Sequence, residues 1–182
     1  MAKHDTDQRD GSGVEGGRGH LREVEWVTAS VLIFSKDKYL LMGQRDPAKK
    51  RSPVHVWQLP GGVVADGETL NDAAVRKIEQ EVGLRLTPDQ LTPVPFIGED
   101  ETVKKLDTGE TVWCRMKLNR FEVRLGKTAA QLATEVQPGD DLVAVRWFSR
   151  KELADVELNP GVREFFVRAG YIHATGATRG RP

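Results

Sequence analysis

A tight glycine turn that feeds an amphipathic helix is the strongest constraint in this sequence. Trp57-Gln58-Leu59-Pro60-Gly61-Gly62 sets a proline before two glycines, so the backbone can turn sharply, approach a ligand closely and aim carbonyls at it. The pattern then becomes helical over residues 69–82. Thr69 can cap a helix with Asp72 three positions on, and Gly83 can end it in the left-handed conformation. At 100° per residue, Leu70, Ala74 and Ile78 form one stripe flanked by Val75 and Val82, which should lie against a sheet. Lys77, Gln80 and Glu81 share a neighbouring face, with the small Ala73 leaving room above them. Glu79 points to the opposite, solvated side, and Arg76 can reach back to Glu68 and fix the loop against the helix.

Around this unit, strands and helices alternate. Residues 24–34 are rich in β-branched and aromatic side chains and read as a strand, paired with 38–43 in a hairpin. Residues 111–123 and 142–148 are further strands, and 131–138 fits neither class. Ser149 with Glu152 forms a capping-box pattern, and Asn159-Pro160 starts a helix running towards Ala169 with Gly170 as its stop. This order favours an α/β arrangement, a mixed sheet packed between helices, over a bundle or an all-β sandwich. Residues 1–20 read as a disordered N-terminal tail, 21–173 as one domain and 174–182 as a flexible C-terminal tail.

Composition removes several functions. The 27 basic and 27 acidic residues cancel, so overall charge points to neither nucleic acid nor an anionic membrane. The single cysteine, Cys114, excludes an intramolecular disulfide and a cysteine-rich zinc site, and reads as a reduced thiol within a strand. No apolar segment suits a membrane span or a signal peptide, so the expected location is cytoplasmic.

The stretch from Gly62 to Leu84 resembles the Nudix box: glycine, five residues, glutamate, seven residues, then Arg-Glu-aliphatic-x-Glu-Glu-x-Gly-aliphatic. Gly62, Glu68, Arg76, Ile78, Glu81, Gly83 and Leu84 match at the family's spacing. Leu40-Leu41-Met42-Gly43-Gln44-Arg45 before the box, and Trp147-Phe148 and Glu152-Leu153 after it, also look like the family, so the resemblance covers about residues 24–170. It implies a Nudix-type α/β/α sandwich with a mixed β-sheet.

Two positions depart from the pattern: Lys77 and Gln80 stand where the family has glutamates. In Nudix enzymes those carboxylates hold or orient divalent metals that neutralise a diphosphate while water attacks. Protonated lysine cannot ligate a metal, and the two changes shift the local charge by about three units towards positive. One unit pair at 4 Å is worth about 4 kcal/mol gross at an effective dielectric near 20, so a multi-metal cluster should be severely weakened. The resemblance then implies one weakly held Mg2+ or Mn2+ at Gly61, Glu81 and Glu68, with an acid from Glu99, Asp100 or Glu101 if that run is more than a solvated loop. Lys77 either places a point charge on a phosphate or pairs with Glu81 one turn on.

GDP-mannose mannosyl hydrolases are similar in lacking acids at these two positions, but they use a histidine base. Here only His55 could enter the site. The resemblance implies a hydrolase of a nucleoside diphosphate linked to another moiety, with Glu81, Lys77 and Glu68 catalytic and Arg45, Arg51 and Trp57 on the substrate. Lys49 and Lys50 share the basic loop with Arg51. Trp113 either stacks on a base or packs in the sheet, while Trp26 and Trp147 read as core. The alternatives are a non-catalytic Nudix domain that binds a nucleotide-like ligand or a protein partner, and metal-independent chemistry at Lys77. The implied partners are a small nucleotide-like molecule and, as in many Nudix domains, a second copy in a homodimer.

Overall fold

Thirteen residues of one strand organise the architecture. The computed structural model describes residues 21–46, 56–106 and 108–173. Lys49, Lys50, Arg51, His55 and both terminal tails lie outside them.

Strand β1 (Arg22–Phe34) sends alternate side chains to opposite faces. Ala29, Val31 and Ile33 enter one hydrophobic core, while Leu32 and Phe34 enter another. A strand buried on both faces reads as a continuous apolar run rather than an alternating one, which is why Val31-Leu32-Ile33-Phe34 carries no polar residue.

The remaining strands are β2 (Leu40–Arg45), β3 (Trp57–Gln58), β4 (Gly61–Val63), β5 (Thr92–Pro93), β6 (Gly98–Lys105), β7 (Thr111–Arg124) and β8 (Leu142–Phe148). β1 runs parallel to β7 from Arg22↔Val112 to Phe34↔Arg124 and antiparallel to β4 and the start of β2. β2 also pairs with β3 and β8, and β6 and β5 pair with β7. The sheet is therefore mixed.

Helix α1 (Leu70–Val82) covers one face, seating Ala73, Ala74, Ile78 and Val82 against β1 with Phe121 and Val123 of β7. Its ends are those the sequence predicts. The Thr69 hydroxyl oxygen accepts from the Asp72 N–H at 3.2 Å, and Gly83 closes the helix at φ 75°. Ala73 is fully buried in the core; it opens no room above the polar face. A second helix, α2 (Ala129–Leu132), overlaps only the first two residues of the 131–138 stretch and is held by a Thr128–Gln131 capping box. α3 (Arg150–Asp155) and α4 (Pro160–Arg168) cover the opposite face through Leu153, Phe165 and Phe166. The result is the expected α/β/α sandwich. Among the described residues, no helix is long and apolar enough to cross a membrane.

One expectation fails at Glu99-Asp100-Glu101. These acids lie in β6, paired with β7 in register, rather than in a solvated loop. β6 pairs with β7 alone, and an edge strand tolerates charges that a central strand cannot.

Candidate functional site

The glycine turn lands where its residues demand. Gly61 adopts φ 144°, and a Cβ there would stand 2.3 Å from the Ala29 carbonyl oxygen, so only glycine lets β4 lie this close to β1. Its N–H donates to Glu81 Oε2 at 2.8 Å. Glu81 is 1% exposed. Burial pushes its carboxyl up to about 7, against the Gly61 N–H and the charges of Arg45 and Lys77, while Asp140 raises it further.

Glu68 is held by a different arrangement. Arg76 Nε donates to its Oε1 at 2.7 Å, and Arg76 Nη2 and the Ala65 N–H donate to its Oε2 at 2.8 and 3.0 Å. The bidentate guanidinium, with the Ala65 N–H, pulls the Glu68 carboxyl down to about 2. The Glu68–Arg76 contact read from the sequence forms, and it occupies both carboxylate oxygens.

Lys77 does not pair with Glu81. Its Nζ donates to Asp140 Oδ2 at 3.0 Å, and its stem crosses Gly62, where a Cβ would meet Lys77 Cε at 2.8 Å. Asp140 is delivered by residues 137–141, which dock on the C-terminal end of α1. The Gln137 N–H donates to the Val82 carbonyl and the Gly139 N–H to that of Glu81, at 3.2 and 2.9 Å. Those acceptors are carbonyls that a helix end leaves unpaired. Gly139 sits so close that a Cβ would stand 2.4 Å from the Gln80 carbonyl oxygen. Asp140 itself takes φ 50°, a conformation aspartate tolerates better than most side chains. Gln80 is exposed and accepts from Arg76 Nη1 at 3.2 Å, so of the three side chains placed on one face it turns towards the clamp.

A cavity of about 960 Å³ opens beside this loop–helix unit, on the sheet face turned away from α1. Gly61, Gly62, Arg76 and Lys77 form one wall; Trp26, Thr28 and Ser30 of β1 with Met116, Leu118 and Arg120 of β7 form another. Each triplet advances by two, so each strand turns one side to the cavity. Three donors there lack strong partners. Arg45 Nε and Gln58 Nε2 are buried with no hydrogen-bond partner among the described residues. Arg120 is 7% exposed, lies 4.3 Å over the Phe165 ring, donates to the Phe96 carbonyl at 3.5 Å and feels the charge of Glu164. Burial lowers its guanidinium's affinity for a proton. Buried donors without acceptors are costly, and a ligand bearing oxygens relieves them.

The structure thus brings Arg45, Lys77 and the Gly61–Gly62 turn to one cavity, with Glu81 beneath Gly61. Trp57 packs edge-on against Phe148 at 4.8 Å within the second core, while Trp26, read as core, lines the cavity. Trp147, expected in the core, is half-buried and packs against the first core. Cys114 is buried in β7 and burial raises its thiol, as expected for an inert cysteine. Of the β6 acids, Asp100 lines the cavity and Glu101 pairs with Arg115 at 3.2 Å. Arg120, Gln58 and Asp140 were not singled out from the sequence. Arg120 left a signal there: it continues the inward parity of Val112, Cys114, Met116 and Leu118, and a charge at such a position needs a reason.

Comparison with known proteins agrees with the fold. The NUDIX domain pattern matches residues 21–169. Nudix hydrolase 6 of Arabidopsis thaliana is 28% identical over 98 residues, covering 54% of this chain and 34% of that protein. The m7GpppN-mRNA hydrolase NUDT17 of Danio rerio is 38% identical over 65 residues, covering 36% of this chain and 21% of the relative. The chain therefore spans about a third or less of these two proteins. Nucleoside triphosphatase NudI of Enterobacter sp. (strain 638) is 28% identical over 116 residues, covering 64% of this chain and 77% of that protein. Among solved structures, a MutT protein from Methanosarcina mazei Go1 superposes with a TM-score of 0.58 at 20% identity, over 82% of this chain and 95% of that one. The E. coli dihydroneopterin triphosphate pyrophosphohydrolase gives 0.57 at 23% identity, over 78% and 92%. With the box-bearing loop and helix built on this sandwich and the domain pattern spanning all of it, the chain belongs to the NUDIX domain family.

Proposed function

We propose that this chain uses its cleft to bind a nucleoside diphosphate linked to another moiety, and that it hydrolyses that ligand at a reduced rate. One observation carries the reading: the cavity over Gly61–Gly62 gathers Arg45 Nε, Gln58 Nε2, Arg120 and Lys77, donors that lack acceptors or retain spare ones. Fixed cations and amide donors of this kind suit phosphate and carbonyl oxygens. Arg45 and Lys77 are assigned to the diphosphate. Arg51, outside the described residues, is assigned there from its sequence position alone. The half-buried Trp26 takes the stacking role expected of Trp57.

The reduced rate follows from the metal chemistry. Nudix hydrolases generally use divalent metals such as Mg2+. Among the described residues, no three or more His, Cys, Asp or Glu side chains group closely enough to hold a metal ion. Glu68 is occupied by Arg76, and Lys77 brings a positive charge to the box face. These residues do not fit a multi-metal cluster. A second reading keeps one Mg2+ or Mn2+ at Glu81 and Gly61; it is favoured by Glu81 keeping its box position beside the Gly61 backbone.

The test is a panel of nucleoside diphosphate sugars, dinucleotides and nucleoside triphosphates, each with and without Mg2+ or Mn2+. Binding with turnover well below the roughly 1–1000 s⁻¹ common among enzymes supports the proposal. Metal-dependent turnover within that range overturns the reduced rate, and no binding by any compound overturns the assignment of the cavity. Slow turnover that requires the metal favours the single-ion reading.

A further inference from the structure

The exchange of a box glutamate for Lys77 is more than a loss, because the surroundings are built to hold the ammonium. Its Nζ meets Asp140 Oδ2 at 3.0 Å, and its stem lies over Gly62, with Cε 2.8 Å from where a Cβ would stand. Asp140 is kept in a left-handed conformation by residues 137–141, which fasten to the last carbonyls of α1. The Lys77 side chain is 19% exposed and faces the cavity. An ammonium has three donors; Asp140 takes one, leaving two for the ligand. Arg45 lies on the same cavity, its Nε buried and without an acceptor among the described residues.

We propose that the Lys77 ammonium, braced by Asp140, occupies the place of a divalent cation, so that the cleft binds diphosphate esters without metal. The inference rests on the assignment of this cavity to a diphosphate ligand. It goes further by replacing the metal with a side chain of the protein. The bound class is a diphosphate whose non-bridging oxygens accept from Lys77 and Arg45. Arg76 is spent on Glu68 and adds only its field.

The test is calorimetric binding of inorganic pyrophosphate and of ADP to the full chain, in EDTA and in excess Mg2+. The expected affinities in the two conditions agree within about threefold, whereas Lys77→Gln weakens binding in EDTA by about tenfold or more, a change of 1.4 kcal/mol. Lys77→Arg, which keeps a cation, restores most of the loss. Lys77→Glu should reverse the behaviour: pyrophosphate binds only with Mg2+, and Mg2+ raises the melting temperature of that variant. This gain cannot come from misfolding. Binding to the wild type that strengthens more than about tenfold on adding Mg2+ overturns the proposal while leaving the ligand assignment standing. An unchanged affinity in Lys77→Gln overturns it in the same way. Failure of both probes in both conditions overturns the proposal, and the nucleotide panel then decides separately whether the ligand assignment falls with it.

Discussion

Helix α1 makes two ion pairs over the same glycine turn, and they work differently. Arg76 and Glu68 form a closed clamp: two guanidinium nitrogens and a backbone N–H engage both carboxylate oxygens. Lys77 and Asp140 form a single contact at the cavity wall, with donors left over. The clamp joins residues eight apart on one stretch of chain, whereas the second pair spans 63 positions. The difference separates two parts of the Nudix box. The residues that shape the loop match the family pattern, whereas position 77 carries a positive charge where that pattern has a negative one. On the reading proposed above, the first part reports the fold and the second decides what the cavity binds.

The most damaging way to break this comparison is Gly61→Ala, because both regions depend on the turn. With φ at 144° and the Ala29 oxygen 2.3 Å from the new Cβ, the variant should lose more than about 4 kcal/mol or fail to fold, as urea unfolding would show. Retained stability would mean that β4 is not held against β1.

Glu81 sharpens the chemical side. Its carboxyl sits near 7 in the folded chain against an ordinary value of 4.5. At pH 4 both folded and unfolded forms are protonated, and the group costs nothing. As pH rises through 4.5, the unfolded chain ionises first and stability falls, until the folded carboxyl ionises near 7. Glu81→Gln keeps an acceptor for the Gly61 N–H, so at pH 8 it should be more stable than the wild type by up to about 3 kcal/mol, and equal to it at pH 4. A constant difference across denaturation curves at both pH values would remove the burial argument.

The double change Lys77→Glu with Gln80→Glu should raise divalent-ion affinity by about tenfold or more in calorimetry, since two charges of the right sign return. Gln80 now leans on Arg76, so most of the gain should come from position 77; an equal share from Gln80→Glu alone would mean that its side chain swings into the cavity. The smallest effect belongs to the clamp. Arg76→Lys keeps the charge but loses the two-pronged geometry, which should lower the melting temperature modestly while pyrophosphate affinity in EDTA stays within about twofold. A larger loss of affinity would show that the clamp is part of the ligand site.

The sequence made the locally encoded parts legible. α1 with both caps, the Glu68–Arg76 contact and the starts of α3 and α4 all lie within a few residues of their signals. β1 and β7 were legible because long buried strands concentrate β-branched and aromatic residues. β3 and β5 have two residues each and β4 three, too few for a period to show. β6 was hidden by acids that an edge strand accommodates. That Trp26 lines the cavity while Trp57 packs against the second core depends on register, because which face a tryptophan takes follows from pairing and not from its neighbours. Asp140 was out of reach for the same reason: nothing near Lys77 in sequence names a partner so far along the chain.

The docked segment 137–141 also governs which mutations this site can accept. A single return to glutamate at position 77 would set a carboxylate where Asp140 now meets an ammonium, leaving two like charges facing each other until a cation enters between them. Glutamate at position 77 alone therefore runs uphill unless residue 140 changes at the same step or a metal is already abundant. Conversely, neutralising Asp140 alone would release the lysine from its brace. The two positions are tied by energy, and a survey of tolerated substitutions should find them moving together.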